Sequence, residues 1–202
     1  TCIHPKELNI LCGLLPFVDD VHAACYDLKI YIDVEENLKT FMKVKRDVYQ
    51  RGYHLDKVLT TIHRRVYDFV QYVQPQLEKA DIVIRYSTRS STTIDKIYLH
   101  DYFPVIETKV FVNGQFVEGD PIVICEEVLH NIQKKKRVLQ EYTQLCKTLG
   151  GYTELFQANG GNISVKNDNT MVIKKSGCRV SDALKNYCWC DTQPVSYTHL
   201  TL

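Results

Sequence analysis

Arg46, Asp47 and Arg51 stand in the run Lys43-Val44-Lys45-Arg46-Asp47-Val48-Tyr49-Gln50-Arg51-Gly52. Asp47 and Arg51 are four residues apart, so on a helix they share a face and suit an ordinary ion pair. A second use is open to the same residues: Arg46 and Arg51 offer planar guanidinium forks that match phosphate oxygens. Spacing alone does not choose between them. A second set is Gly160-Gly161-Asn162-Ile163-Ser164. It suits a tight turn into a hairpin, with glycines for conformational freedom and Asn162 and Ser164 for local hydrogen bonds. It also suits an anion site, in which Gly160 and Gly161 let the backbone approach closely and amide groups and Asn162 donate to phosphate.

The elements that must position these residues follow from periodicity. Leu28 to Ile32 is a short apolar run that predicts a strand. Asp33 with Glu36 three positions later predicts a capping box, and Leu38, Phe41, Met42, Lys45, Val48 and Tyr49 a helix that Gly52 closes. Leu55 to Val73 carries an apolar stripe at helical spacing, interrupted by Pro75, and Ala80 to Ile84 predicts a second strand. Strand, helices, strand is the order of an α/β domain with a parallel sheet. Val105 to Val112, Asn113-Gly114 and Gln115 to Val117 predict a hairpin, because Asn-Gly supplies both positive-φ positions of a type I′ turn. Pro121 to Gly150 predicts one or two helices. Asn162 to Lys166 and Met171 to Ile173 predict a second hairpin.

Composition narrows the function classes. The 202 residues carry 25 Lys and Arg against 24 Asp and Glu, a net charge of +1. That balance argues against nucleic acid or an anionic membrane as partner. The basic run Lys134 to Arg137 falls inside a helical pattern and suits a solvated face. No apolar stretch has the length of a membrane span. The eight cysteines are scattered, and Cys188-Trp189-Cys190 has no second ligand pair at zinc-site spacing. Free thiols of this kind point to a reducing, cytoplasmic compartment.

Residues 26–84 resemble the C-terminal part of the phosphoribulokinase/uridine kinase family. The resemblance rests on Asp27 to Asp33, on Arg46-Asp47-x-x-x-Arg51-Gly52, on Asp68 to Gln76 and on Lys79 to Ile84. Gly13-Leu14-Leu15-Pro16-Phe17 is similar to the segment after the family's central strand. The resemblance implies ATP- and Mg²⁺-dependent transfer of a phosphoryl group to a pentose phosphate or nucleoside, with Arg46 and Arg51 on phosphate and Asp47 orienting them. The 202 residues hold no G-x-x-x-x-G-K-[ST] loop, so this segment alone is expected to be inactive.

Residues 139–182 resemble the start of the class II aldolase/adducin family, through the helix Leu139 to Leu149, Gly160 to Lys166, and Met171 to Gly177. That resemblance implies a sugar-phosphate site using Asn162, Ser176 and Gly177, with Gly161 and Ser164 in support. It also implies Zn²⁺ in the parent, with no metal ligand assignable in this segment, and assembly as a homo-oligomer. Lys174-Lys175 departs from the family's more usual Thr-Pro. Val195 to Leu202 resembles a translated sequencing adapter, and the frame reads as truncated at both ends.

The expected organisation is a partial kinase-type α/β domain over 1–95, a hairpin connector over 96–130, the start of an aldolase-like α/β domain over 131–194, and the tail. The expected parent is a bifunctional sugar-phosphate enzyme. The rival reading is a non-catalytic scaffold built from both remnants.

Overall fold

β1 (Ile30–Val34) and β2 (Ile82–Thr88) pair in parallel in the computed structural model, which describes residues 8–89, 101–152 and 161–191. A parallel pair needs a long crossover, because a tight turn cannot return the chain in the same direction. Here it comprises α2 (Glu36–Val44), a π-helical stretch (Lys45–Gln50), α3 (Leu55–Asp68), a second π-helical stretch (Phe69–Val73) and a 3-10 helix (Gln74–Lys79). A short helix, α1 (Asp20–Ala23), precedes β1. The strand, helices, strand order stands, with each strand beginning two residues later than expected.

Asp33 is the first correction. It lies inside β1 and does not cap a helix. Its Oδ2 accepts from Arg85 Nε at 2.7 Å, and Arg85 is its register partner on β2. Glu35 holds the N-cap position of α2, but its carboxylate accepts from the backbone N and Oγ1 of Thr88 at 2.9 and 3.2 Å. No capping box forms, because both acidic side chains find partners on the neighbouring strand. These contacts fix the start of α2 at the C-terminal ends of the parallel strands.

The hairpin forms where Asn-Gly places it, between β3 (Ile106–Val112) and β4 (Gln115–Val117), with φ of 49° at Asn113 and 80° at Gly114. It is not a separate connector. β3 runs antiparallel to β2 from Ile82↔Val112 to Thr88↔Ile106, giving one sheet in the order β1-β2-β3-β4. The compact units comprise residues 1–125 and 126–202, so the hairpin belongs with the first unit.

In the first unit α2 buries Leu38, Phe41 and Val44, three apart, and Phe41 and Val44 pack with Val58 of α3. Leu55, Leu59 and Ile62 flank this core, but Val66 and Val70 are exposed. The stripe read along α3 is thus covered only in its first half.

α4 (Pro121–Leu149) opens at Asp120, whose Oδ1 accepts from the backbone N of Ile122 and Val123 at 2.8 and 3.2 Å. Its Val138, Tyr142 and Cys146, four apart, pack with Ile163, Val172, Val180 and Ala183 as the core of the second unit. β5 (Ser164–Asn167) and β6 (Thr170–Lys174) form the expected hairpin, and β7 (Tyr187–Asp191), not foreseen, adds to β6 antiparallel. Among the described residues no helix is long and apolar enough to cross a membrane. Gly160 and the tail from Val195 lie outside the described residues.

Candidate functional site

The π-helical stretch continues α2 with a wider turn. Arg51 N donates to Arg46 O, five residues back, and Tyr53 N donates to Asp47 O at 2.9 Å. Gly52 then takes a φ of 72°, in the left-handed region that favours glycine, and the helix stops. Such insertions are frequent at functional sites, because they turn side chains away from the direction a regular helix would give them.

Here the turn brings Asp47 inward. Its side chain is 7% exposed and receives three cations. Lys43 Nζ lies 2.7 Å from Oδ2, Arg46 Nε 2.8 Å and Arg51 Nη1 3.1 Å from Oδ1, with Arg46 Nη2 at 3.3 Å from Oδ2. These bonds, those from Arg46 first and Lys43 next, hold the Asp47 carboxyl well below the usual carboxylate range. The same bonds raise the Arg46 pKa, fixing its positive charge. Arg46 and Arg51 remain about half exposed. The cluster has one negative and three positive groups, a local charge of +2 with its guanidinium planes held in place.

The ion pair and the phosphate fork, posed as alternatives by the spacing, are therefore compatible. Arg46 bonds Asp47 through one edge and Arg51 through Nη1 alone, and each guanidinium keeps further N–H groups outside these bonds. Lys43 is the member that sequence reasoning missed. Its signal was present, since it stands four residues before Asp47 as Arg51 stands four after.

Next to the cluster, Lys45 is buried among the rings of Phe41, Tyr49 and Phe103, its Nζ 5.4, 4.9 and 5.7 Å from their centroids. Tyr102 meets Phe41 edge-on at 5.9 Å. The segment before β3 thus packs on the helix that carries the cluster. Along β1 a separate cleft of about 720 Å³ is lined in part by Asp33, Lys39, Arg65 and Asp68. Gln76, 2% exposed, secures one wall of it: its Nε2 donates to Leu14 O and Tyr72 O, both at 2.9 Å, and its Oε1 accepts from Phe17 N at 3.1 Å.

The second predicted set lies in the second unit. Lys174 N donates to Ile163 O at 2.9 Å, and Ser164 is opposite Ile173. The register so places Gly161 and Asn162 at the same end of the hairpin as Ser176 and Gly177. All four, and Ser164, are exposed, and Gly177 has a φ of 77°. Lys174, at the departure from Thr-Pro, is buried, and its Nζ donates to Cys178 O at 2.7 Å and Lys175 O at 3.1 Å. It braces the turn through two carbonyls. Among the described residues no group of three or more His, Cys, Asp or Glu is placed to hold a metal ion.

Comparison with known proteins bears on the first unit. The phosphoribulokinase/uridine kinase family matches residues 1–94. The chain is 32% identical over 83 residues to a phosphoribulokinase of Synechocystis, covering 41% of this chain and 25% of that protein. It is 37% identical over 83 residues to the chloroplastic phosphoribulokinase of Chlamydomonas reinhardtii, covering 41% and 22%. It is 27% identical over 96 residues to the uridine kinase of Streptococcus uberis, covering 46% and 45%. The family match says nothing of residues 126–202 or of an aldolase-like part. The chain spans about a quarter of the length of the phosphoribulokinases it matches, and its first 94 residues are similar in sequence to kinases of sugar phosphates and nucleosides.

Proposed function

We propose that the first unit is the phosphate-holding part of a kinase that transfers the γ-phosphoryl group of ATP to a hydroxyl of a pentose phosphate or nucleoside. The observation that carries this reading is the convergence of Lys43, Arg46 and Arg51 on Asp47. Phosphoryl transfer depends mainly on positioning and charge stabilisation, and preset guanidinium groups supply both without reorganising during the reaction. Asp47 acts through the arginines as a positioning residue. Arg46 and Arg51 present their outward N–H groups to phosphate oxygens.

The 202 residues hold no G-x-x-x-x-G-K-[ST] loop. The activity expected of this segment is accordingly phosphate binding without turnover. Titration calorimetry with inorganic pyrophosphate, ATP and a pentose phosphate tests the reading. Saturable binding that the Arg46→Ala/Arg51→Ala double variant loses supports it. Binding unchanged in that variant refutes it.

The geometry also favours a second, weaker anion site at the open end of the β5–β6 hairpin, through Asn162, Ser176 and Gly177, as an aldolase-like sugar-phosphate part would use. The shared end of the hairpin and the left-handed Gly177 support that assignment. Phosphate-induced NMR shifts at Asn162 and Gly177, abolished in Asn162→Ala, are the expected result. Shifts that persist in the variant would remove Asn162 from the site.

A further inference from the structure

We propose that the outward face of the β5–β6–β7 sheet binds one cuprous ion between the thiolates of Cys188 and Cys190 and the thioether of Met171. The argument starts from alternation along β7. Tyr187 packs on the core, with its ring 5.8 Å from that of Tyr142, and Trp189 meets Tyr187 edge-on at 6.4 Å. Side chains in a strand alternate, so Cys188 and Cys190 share the opposite face. On β6 the fully buried Val172 points to the core, which turns Met171 and Ile173 outward. The register sets Met171 opposite Cys190 and Ile173 opposite Cys188. The outward face therefore carries two thiols on one strand and a thioether directly across from one of them.

Distances favour a metal over a disulfide. Residues two apart on a strand have Cα atoms about 6.8 Å apart, at the outer limit for an unstrained disulfide. Metal–sulfur bonds of about 2.3 Å reach between sulfurs up to about 4.6 Å apart. Residues opposite one another across an antiparallel pair have Cβ atoms about 5 Å apart, within reach of the flexible Met171 side chain. Cys188 Sγ lies 3.8 Å from Ile173 O, so its sulfur leans toward β6 and the strand that bears Met171. Cys188 is exposed and Cys190 partly so, and neither forms a disulfide.

Donor chemistry selects the ion. Thiolate and thioether sulfur favour Cu(I), whereas zinc draws on Cys, His, Asp or Glu, and no such group of three exists among the described residues. Binding breaks two S–H bonds, releases two protons and forms two Cu–thiolate bonds, with Met171 as the third donor and copper remaining monovalent. Lys166, opposite Met171 on β5, places a positive charge in the same cross-strand row.

The test uses the full chain, reduced and without oxygen, titrated with Cu(I) against a chromogenic Cu(I) chelator. Trp189 is the only tryptophan and lies between the two cysteines, so its fluorescence reports occupancy. One equivalent bound with quenching of Trp189 is expected. Cys188→Ser and Cys190→Ser should each weaken binding by at least about a hundredfold, and Met171→Leu by about tenfold. Cys146→Ser and Cys178→Ser should leave it unchanged. Circular dichroism checks each fold, and Met171→Leu, which keeps an apolar side chain, carries the test if a serine variant unfolds. The proposal fails if Cys188→Ser/Cys190→Ser retains wild-type affinity, if Cys178→Ser abolishes binding, or if Met171→Leu has no effect.

Discussion

Replacing Asp47 by Asn separates two accounts of the charged cluster, because they predict opposite signs. If phosphate is held by charge alone, removing the carboxylate raises the local charge from +2 to +3 and tightens binding. One added unit of attraction at about 6 Å in water corresponds to roughly threefold in affinity. If Asp47 acts by positioning, the change releases Arg46 from a pair of charge-assisted bonds at 2.8 and 3.3 Å and Arg51 from one at 3.1 Å. Each side chain must then be ordered again when the anion binds, at a cost of about two- to tenfold in affinity per arginine. The product for two arginines, about four- to hundredfold, exceeds the electrostatic gain. Asp47→Asn should therefore bind pyrophosphate more weakly, by up to about thirtyfold at the upper end. Calorimetry at low ionic strength reads the affinity, and circular dichroism confirms that the isosteric variant keeps its helices. Binding equal to or tighter than wild type, in a folded variant, would refute the positioning role.

The same carboxylate makes stability pH-dependent. Its folded-state pKa lies below the unfolded value of about 3.9, so its contribution is present above about pH 4 and is lost as pH falls further. Melting temperatures from pH 2.5 to 6 should drop more steeply below pH 4 in wild type than in Asp47→Asn. Gln76→Ala removes three hydrogen bonds, but of their backbone partners only Phe17 N belongs to a buried residue, so the cost should be about 1–3 kcal/mol. Cleavage within the exposed Leu11 to Leu15 should accelerate by about five- to 150-fold under conditions where opening precedes cutting. Tyr142→Phe removes the hydrogen bond of a fully buried hydroxyl to Ala183 O at 3.2 Å. Denaturant unfolding of the second unit should show a loss of about 1 kcal/mol.

What the sequence revealed depended on the range of the interaction. The hairpin at Asn113-Gly114 was legible because two adjacent residues determine the backbone there. Leu38 and Phe41 were legible because helical spacing reports burial within a few residues. Asp33 misled because its partner, Arg85, is 52 residues away, and a carboxylate three positions before Glu36 looks locally like a cap. β7 was passed over for a similar reason. Its alternation of Tyr187 and Trp189 with Cys188 and Cys190 acquires meaning only when paired with Met171 and Ile173. In the charged site the arginines and Asp47 were read from type and spacing. The π-helical turn that buries Asp47 and gathers Lys43 was not, since it is set by packing on α3 and by Gly52.

Position rather than quantity of charge explains how a chain with a net charge of +1 gathers three cations on one carboxylate. A buried carboxylate surrounded by three cations is a poor device for stability alone, because desolvation offsets much of the attraction. It is an effective device for geometry. The carboxylate's two oxygens accept four bonds, which hold one edge of Arg46 and one nitrogen of Arg51 and leave their outer N–H groups toward solvent. The rest of the first unit fixes where that edge points. Asp33 with Arg85 and Glu35 with Thr88 tie the beginning of α2 to the C-terminal ends of the parallel pair. Phe41 and Val44 then seat the helix on α3, and Gly52 ends it one residue past Arg51. A substitution that loosens either anchor, such as Glu35→Ala, should reduce phosphate affinity without touching a cation. That outcome would separate a site made by the fold from one made by a basic surface.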